Sequence, residues 1–157
     1  MSPAQATVVT MKPDLLALLA QAAATLPLVG LIWTVQVVHY PLFAGVGADG
    51  FAAYERSHAA RITVVVAPLM LAEAAVCAWL AVSPPAGVPA WWCYAGAGLT
   101  AAVWLSTYAL SVPLHGRLAG GWDAAAHAKL VATNWPRTIL WTLRGALCLA
   151  MLARRLN

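Results

Sequence analysis

Residues 15–38 read LLALLAQAAATLPLVGLIWTVQVV, a run with no charged side chain. A bilayer core about 30 Å thick is crossed by a helix of about 20 apolar residues, so this run is long enough to span it. The apolar positions are contiguous rather than alternating, which excludes the inside–outside pattern of a membrane β-barrel strand. Lys12 before the run and Ala22-Ala23-Ala24 within it imitate a secretory signal. The apolar stretch continues through Trp33 to Val38, however, well beyond the 7–15 residues of a cleavable h-region. An uncleaved transmembrane helix is expected.

Working outward, three more segments have the same character: residues 62–82, 90–112 and, shorter and interrupted by Arg144, 137–152. The whole chain of 157 residues is 62% hydrophobic and only 9% charged, with a mean hydropathy of +0.77. A water-soluble domain carries about 25% charged residues, so most of this surface must face lipid, where helices satisfy their own backbone. The expected fold is all-α: a single integral membrane four-helix bundle over residues 1–157. Pro27 and Pro68 fall inside the first two helices and invite kinks. The stretch 83–89, SPPAGVP, reads as a tight hairpin between helices two and three. The two other connections, 39–61 and 113–136, are longer and carry nearly all the polar chemistry. Trp91, Trp92, Tyr94 and Trp135 suit interfacial aromatic belts.

Four passes put both termini and the hairpin on one side and the two long connections on the other. The basic residues do not orient the chain: Arg56, Arg61, Arg117, Lys129 and Arg137 stand on the long-connection side, Lys12, Arg154 and Arg155 on the other. Setting aside Arg61 and Arg137 as site candidates leaves a tie, and termini inside a bacterial inner membrane is the expected arrangement. The net charge of +4 without a dense basic stretch points to anionic lipid headgroups as partners and not to nucleic acid. Cys77, Cys93 and Cys148 form no CxxC and read as buried apolar filler. The run Ala95-Gly96-Ala97-Gly98 permits close helix approach and fits a homo-oligomer.

All four histidines fall on the long-connection side, in four separate segments: His39, His58, His115 and His127. Polar residues extend from that face at helical spacing. Gln36 and His39 are three apart; Glu55, His58 and Arg61 repeat every three; Tyr108, Ser111 and His115 follow, as do Asn134, Arg137, Trp141 and Arg144. Glu73 and Arg144 lie deepest, at about 16 and 11 Å at 1.5 Å per residue. Ionisable groups at such depth mark function by default, and the two are expected to face the interior and pair.

Three chemistries fit. His39, His58, His115 and His127, with Glu55 of the Glu55-x-x-His58 pair, offer ligands for copper, iron or zinc, or two imidazoles for haem iron; Asp123 and His127 form a second acid–imidazole pair. Arg61, Glu73, Trp141 and Arg144 could contact a cofactor or ligand. Without any metal, His39 or His115 could accept a proton beside Arg137, Asn134 and Tyr108, which suits oxidation of a lipophilic, quinone-like molecule entering from the membrane. A proton- or ion-coupled transporter using Glu73, Arg144 and the histidines, and a structural subunit of a larger membrane complex, are the alternatives. No Walker loop, HExxH, GxGxxG or Ser-His-Asp order is present.

The segments 112–118, VPLHGRL, and 133–138, TNWPRT, carry a resemblance. The chain resembles the small four-helix membrane proteins grouped with the anthrone oxygenases. That family has a Pro-x-Asn-like turn after helix three and Asn-x-x-Arg at the start of helix four. Asn134 and Arg137 match the second motif; His115 stands where the first has Asn. The resemblance implies oxidation of an aromatic, polyketide-like substrate without a conventional cofactor, with Asn134 and Arg137 at the site. The extra histidines suit a divergent branch that has acquired a metal.

Overall fold

A computed structural model describes residues 12–157. Four helices follow one another, α1 (Pro13–Gly45), α2 (Ala48–Val82), α3 (Ala90–Leu118) and α4 (Ala124–Leu156), and no strand occurs among the described residues. They close a ring in which each packs on its sequence neighbours and α4 packs on α1. The fold is an integral membrane four-helix bundle. α1, α2 and α3 are long and apolar enough to cross a bilayer. α4 falls short in composition because it carries Lys129, Arg137, Arg144, Arg154 and Arg155. The two middle arginines are turned inward and buried, while Ile139, Leu143 and Leu149 are exposed on the outer face.

The hairpin falls where expected, with α2 ending at Val82 and α3 beginning at Ala90. The helices themselves are longer than the expected spans 15–38, 62–82, 90–112 and 137–152. Most of the two long connections is helix: α2 begins at Ala48 and α4 at Ala124. Hydropathy reports where a helix meets lipid, not where it starts. The backbone hydrogen bonds close equally well around Glu55, His58 and His127. Only Gly47, at φ +84, and the turn at Gly120-Gly121 break the chain there. α4 is started by Asp123, whose carboxylate accepts the Ala126 N–H. That bond and the Arg117 guanidinium hold the Asp123 carboxyl below its ordinary value.

The interior alternates apolar and polar layers along the bundle axis. Leu18, Leu80, Cys93 and Met151 fill the end near the termini; Leu28, Ile32, Met70, Val103 and Trp141 fill the middle; Tyr40, Phe43, Phe51, Leu118 and Leu130 fill the far end. Gln21, Thr25, Glu73, Thr100 and Arg144 form one buried polar layer, and Gln36, Ser111, Asn134 and Arg137 a second. The three cysteines are free and buried, as apolar filler should be. At the terminal end Arg155 pairs with Asp14 at 2.7 Å and Arg154 donates to the Gly87 carbonyl at 3.3 Å, tying α4 to α1 and to the hairpin. Trp79 and Trp91 are exposed near that end, and Trp33 and Trp135, edge to face at 5.9 Å, toward the other. This is the placement of two interfacial belts.

α1 and α4 approach closely at Gly145. A Cβ there would stand 2.9 Å from Val29 Cγ2, whereas one at Gly98 would meet nothing within 4 Å. Gly145→Leu is therefore expected to wedge the two helices apart at a cost of about 1–3 kcal/mol, seen as a lower thermal midpoint in detergent, while Gly98→Leu leaves the midpoint unchanged.

Candidate functional site

Two helices carry a wide turn on the side of the long connections. In α1 the π-helical turn Val35–His39 ends with the Tyr40 N–H bonded to the Val35 carbonyl, and in α3 the turn Thr107–Ser111 ends with the Val112 N–H bonded to the Thr107 carbonyl. A proline follows each after one intervening residue, Pro41 after Tyr40 and Pro113 after Val112. Proline has no N–H to donate, and its ring collides with the carbonyl four residues back in a regular helix. One extra residue in the preceding turn relieves the collision. It also rotates everything beyond it to a new face, and such bulges are frequent at functional sites. Tyr40 and His115, both just past a wide turn, are aimed into the bundle by this rotation.

Between the four helices lies a cavity of about 620 Å³. Its body is apolar, formed by Leu28, Ile32, Val66, Met70, Trp104 and Trp141, and its upper end is made by Tyr40, Ser111, His115 and Arg137. Exposed residues of α2 and α3, Arg56, Thr63, Tyr108 and Val112, also border it, so the cavity opens sideways between those helices.

The polar end has two parts. In the first, His115 uses both ring nitrogens: Nδ1 is 2.5 Å from Glu55 Oε1 and Nε2 is 2.8 Å from the Tyr40 hydroxyl. With Glu55 ionised, Nδ1 carries the proton and Nε2 accepts from Tyr40. Glu55 is fully buried, and the chain Tyr40–His115–Glu55 is a relay that can lift a proton off the tyrosine oxygen and keep it on an imidazolium. The second part is Arg137. Its Nη1 donates to Ser111 Oγ at 2.9 Å and to Asn134 Oδ1 at 3.1 Å, while Asn134 Nδ2 donates to Gln36 Oε1 at 2.9 Å. Arg137 is 7% exposed, its Nε has no partner, and no carboxylate among the described residues lies within 4 Å of it. A buried guanidinium without a counter-charge is costly. An electron-rich oxygen in the cavity would complete it.

His115, Arg137 and Asn134 thus come together, with Trp141 beneath them, its ring 5.4 Å from the guanidinium carbon. His39 is not in this group. It faces α2, with Nε2 2.8 Å from His58 Nδ1. Tyr108 is 62% exposed and stacks on Trp104 at the cavity rim. It lies within the wide turn, so counting it on one face with Ser111 and His115 fails. Arg61 is exposed and bonds Ser57; it lines a second, outer groove with His39, His58 and Tyr54. His127 is a brace, with Nε2 2.8 Å from the Tyr40 carbonyl and its ring against Phe43 and Trp122. Glu73 and Arg144 do face the interior, 3.9 Å apart. Neither lines the cavity. Thr25 and Trp141 donate to the Glu73 carboxylate, Arg144 donates to Thr100, and Gly96 leaves room for the guanidinium.

The expected metal set His39, His58, His115, His127 and Glu55 does not assemble. Among the described residues no three of His, Cys, Asp and Glu are disposed to hold an ion. His39 and His58 are within hydrogen-bond reach, 2.8 Å, closer than two nitrogens bound to one ion at about 2.0–2.1 Å each can stand at tetrahedral or wider angles. The same distance leaves no room for iron between them.

The chain matches no known family, no curated protein and no solved structure. Its site therefore stands on its own geometry. Tyr40 is the member that periodicity missed, because the wide turn hides its face; the residual signal is the His39-Tyr40-Pro41 sequence itself, an imidazole and a phenol ahead of a proline at a helix end.

Proposed function

We propose that this protein is a membrane-embedded oxidoreductase of oxygenase-like type acting on a lipophilic aromatic or quinone-like molecule, and that it resides in a bacterial inner membrane. The observation that carries the reading is the pairing, at one end of an apolar cavity, of an uncompensated Arg137 with the Tyr40–His115–Glu55 relay. A cavity of about 620 Å³ falls in the range of small-molecule sites, roughly 300–1,000 Å³, and it opens toward lipid. An aromatic ring system would lie against Trp104, Trp141 and Met70 with its carbonyl or hydroxyl oxygen on Arg137.

The chemistry follows from the donors present. As the substrate gives a proton to the Tyr40 oxygen, Tyr40 passes its own to His115 Nε2, leaving imidazolium held by the Glu55 carboxylate and an aryl oxide held by Arg137. An electron-rich aryl oxide of this kind is oxidised by dioxygen. For an anthrone reacting through its hydroxy tautomer, O₂ bonds to the former methylene carbon as a peroxide. The O–O and remaining C–H bonds then break, one oxygen stays as the carbonyl, and the other leaves as water with that hydrogen and the proton stored on His115. The resemblance in residues 112–118 and 133–138 supports the same assignment: Asn134 and Arg137 match its motif, and His115 would act as a base where that motif has Asn. No step requires a metal.

The rival reading, a proton path across the membrane, is less well supported. Polar groups run from Gln21 through Thr25 and Glu73 to Trp141 and then Arg137. Trp141 breaks the thread, since an indole N–H donates and cannot accept.

The test uses purified protein in nanodiscs with anthrone as probe. Quenching of tryptophan fluorescence with a dissociation constant in the micromolar range, and oxygen uptake equal to anthraquinone formed, are expected. Arg137→Gln should weaken probe binding by about tenfold or more, the size of one charge-assisted hydrogen bond. No quenching by anthrone or by a quinone of similar size would remove the proposal.

A further inference from the structure

The relay does not end at Glu55. On α2, one turn beyond Glu55, His58 is buried, with Nδ1 2.8 Å from His39 Nε2 and its ring centroid 5.4 Å from that of His115. His58 Nε2 and Glu55 Oε2 are both buried and both without a partner. A buried donor and a buried acceptor left open beside the same imidazole, three residues apart on one helix, are a place where a single water makes two hydrogen bonds. On its other side His39 is only half-buried and lines the outer groove, about 450 Å³ in volume, with Tyr54, Ser57, Arg61 and His58 itself. That groove does not share its lining with the main cavity, apart from Ile62.

We propose that His39 and His58 form a proton path joining the outer groove to the Tyr40–His115–Glu55 relay, so that the cavity exchanges protons with water while its lipophilic ligand keeps water out. The inference rests on the acid–base role proposed for that relay. A proton arriving on His39 Nδ1 releases the one on His39 Nε2 to His58 Nδ1, and His58 Nε2 then passes its own, through one water, to Glu55 Oε2. Each imidazole ends with the number of protons it began with, and a ring rotation or the reverse transfer resets the tautomers. Around His58 stand His39 and Tyr40 from α1, Glu55 and Arg61 from α2, and His115 from α3, while the nearest groups of α4, His127 and Arg137, are engaged with Tyr40 and with Ser111 and Asn134. The cationic side chains among them, Arg61 at the groove and Arg137 at the cavity, stand at the two ends and leave the middle to imidazoles and Glu55. That distribution favours proton passage over a trapped imidazolium.

The experiment needs no ligand. With ¹⁵N-labelled histidine in nanodiscs, exchange of the His115 Nδ1-bound hydrogen with solvent is measured by NMR. His58→Phe and His39→Phe are each expected to slow it by about tenfold or more, the scale of losing one positioned acid–base group, and imidazole in the buffer to restore the rate in His39→Phe. His39→Gln keeps a donor to His58 but cannot relay; it should be as slow as His39→Phe, and it serves if the phenylalanine variants misfold. Exchange at the native rate in a folded His39 or His58 variant would overturn the path. Anthrone binding is measured on the same samples: its absence in the native protein would strike the reading of the cavity and leave the exchange result to decide the path.

Discussion

Glu73→Leu is expected to cost the bundle about 3–5 kcal/mol, the scale of leaving one partner of a buried ion pair uncompensated. Glu73 and Arg144 are 1% exposed each and 3.9 Å apart. Once the carboxylate is gone, the guanidinium keeps only Thr100, with one nitrogen already unpartnered. Thr25 and the Trp141 indole lose their acceptor as well. The double change Glu73→Leu with Arg144→Leu removes both charges and should recover most of the loss, since an apolar replacement of a buried pair is often neutral or better. Denaturation of the purified variants in detergent checks this. A loss in the double variant equal to the sum of the two single losses would mean that each side chain acts alone. Trp141 makes the result matter for the site: it accepts its orientation from Glu73 below and carries Arg137 above. Glu73→Gln, which keeps an acceptor for Trp141, should preserve probe binding better than Glu73→Leu.

His115→Asn is the second large effect. Asparagine can still hydrogen-bond Tyr40 but cannot hold a proton, so anthrone oxidation should fall by about 10²–10⁴, the usual contribution of a positioned acid–base group. Binding of the probe should change little, because Arg137 and the apolar walls remain. The substitution also tests the resemblance, in which Asn occupies this position. A variant that kept the native rate would place the proton elsewhere and remove His115 from the mechanism.

The polar stripe on α4 was legible because nothing interrupts its period. Asn134, Arg137, Trp141 and Arg144 are all buried on one face of one regular helix. The burial of Glu73 was legible for a different reason: a carboxylate well inside an apolar run has nowhere else to go. Periodicity failed at the two wide turns. Across Val35–His39 it grouped Gln36 with His39, yet Gln36 reaches Asn134 and His39 reaches His58. Across Thr107–Ser111 it grouped Tyr108 with His115, and Tyr108 points outward. The extent of α2 and α4 was misread because hydropathy marks lipid contact rather than helix. The convergence of the histidines was right in direction and wrong in kind: they meet as hydrogen-bonded pairs and a brace, not as one ring of ligands.

The sequence by itself determined the solvent and the topology. Uncharged runs longer than a bilayer's thickness leave the chain no alternative to spanning helices, since only an internally bonded backbone is tolerated in lipid. What the tertiary structure decided is which polar groups touch. A wide turn stands just before Pro41 and Pro113, though not before Pro27, Pro68 or Pro136, and its rotation sets Tyr40 against His115 and Arg137 at the end of a cavity. Contacts between side chains far apart in the chain depend on helix phase to within a fraction of a turn, and that phase is fixed only when four helices pack together.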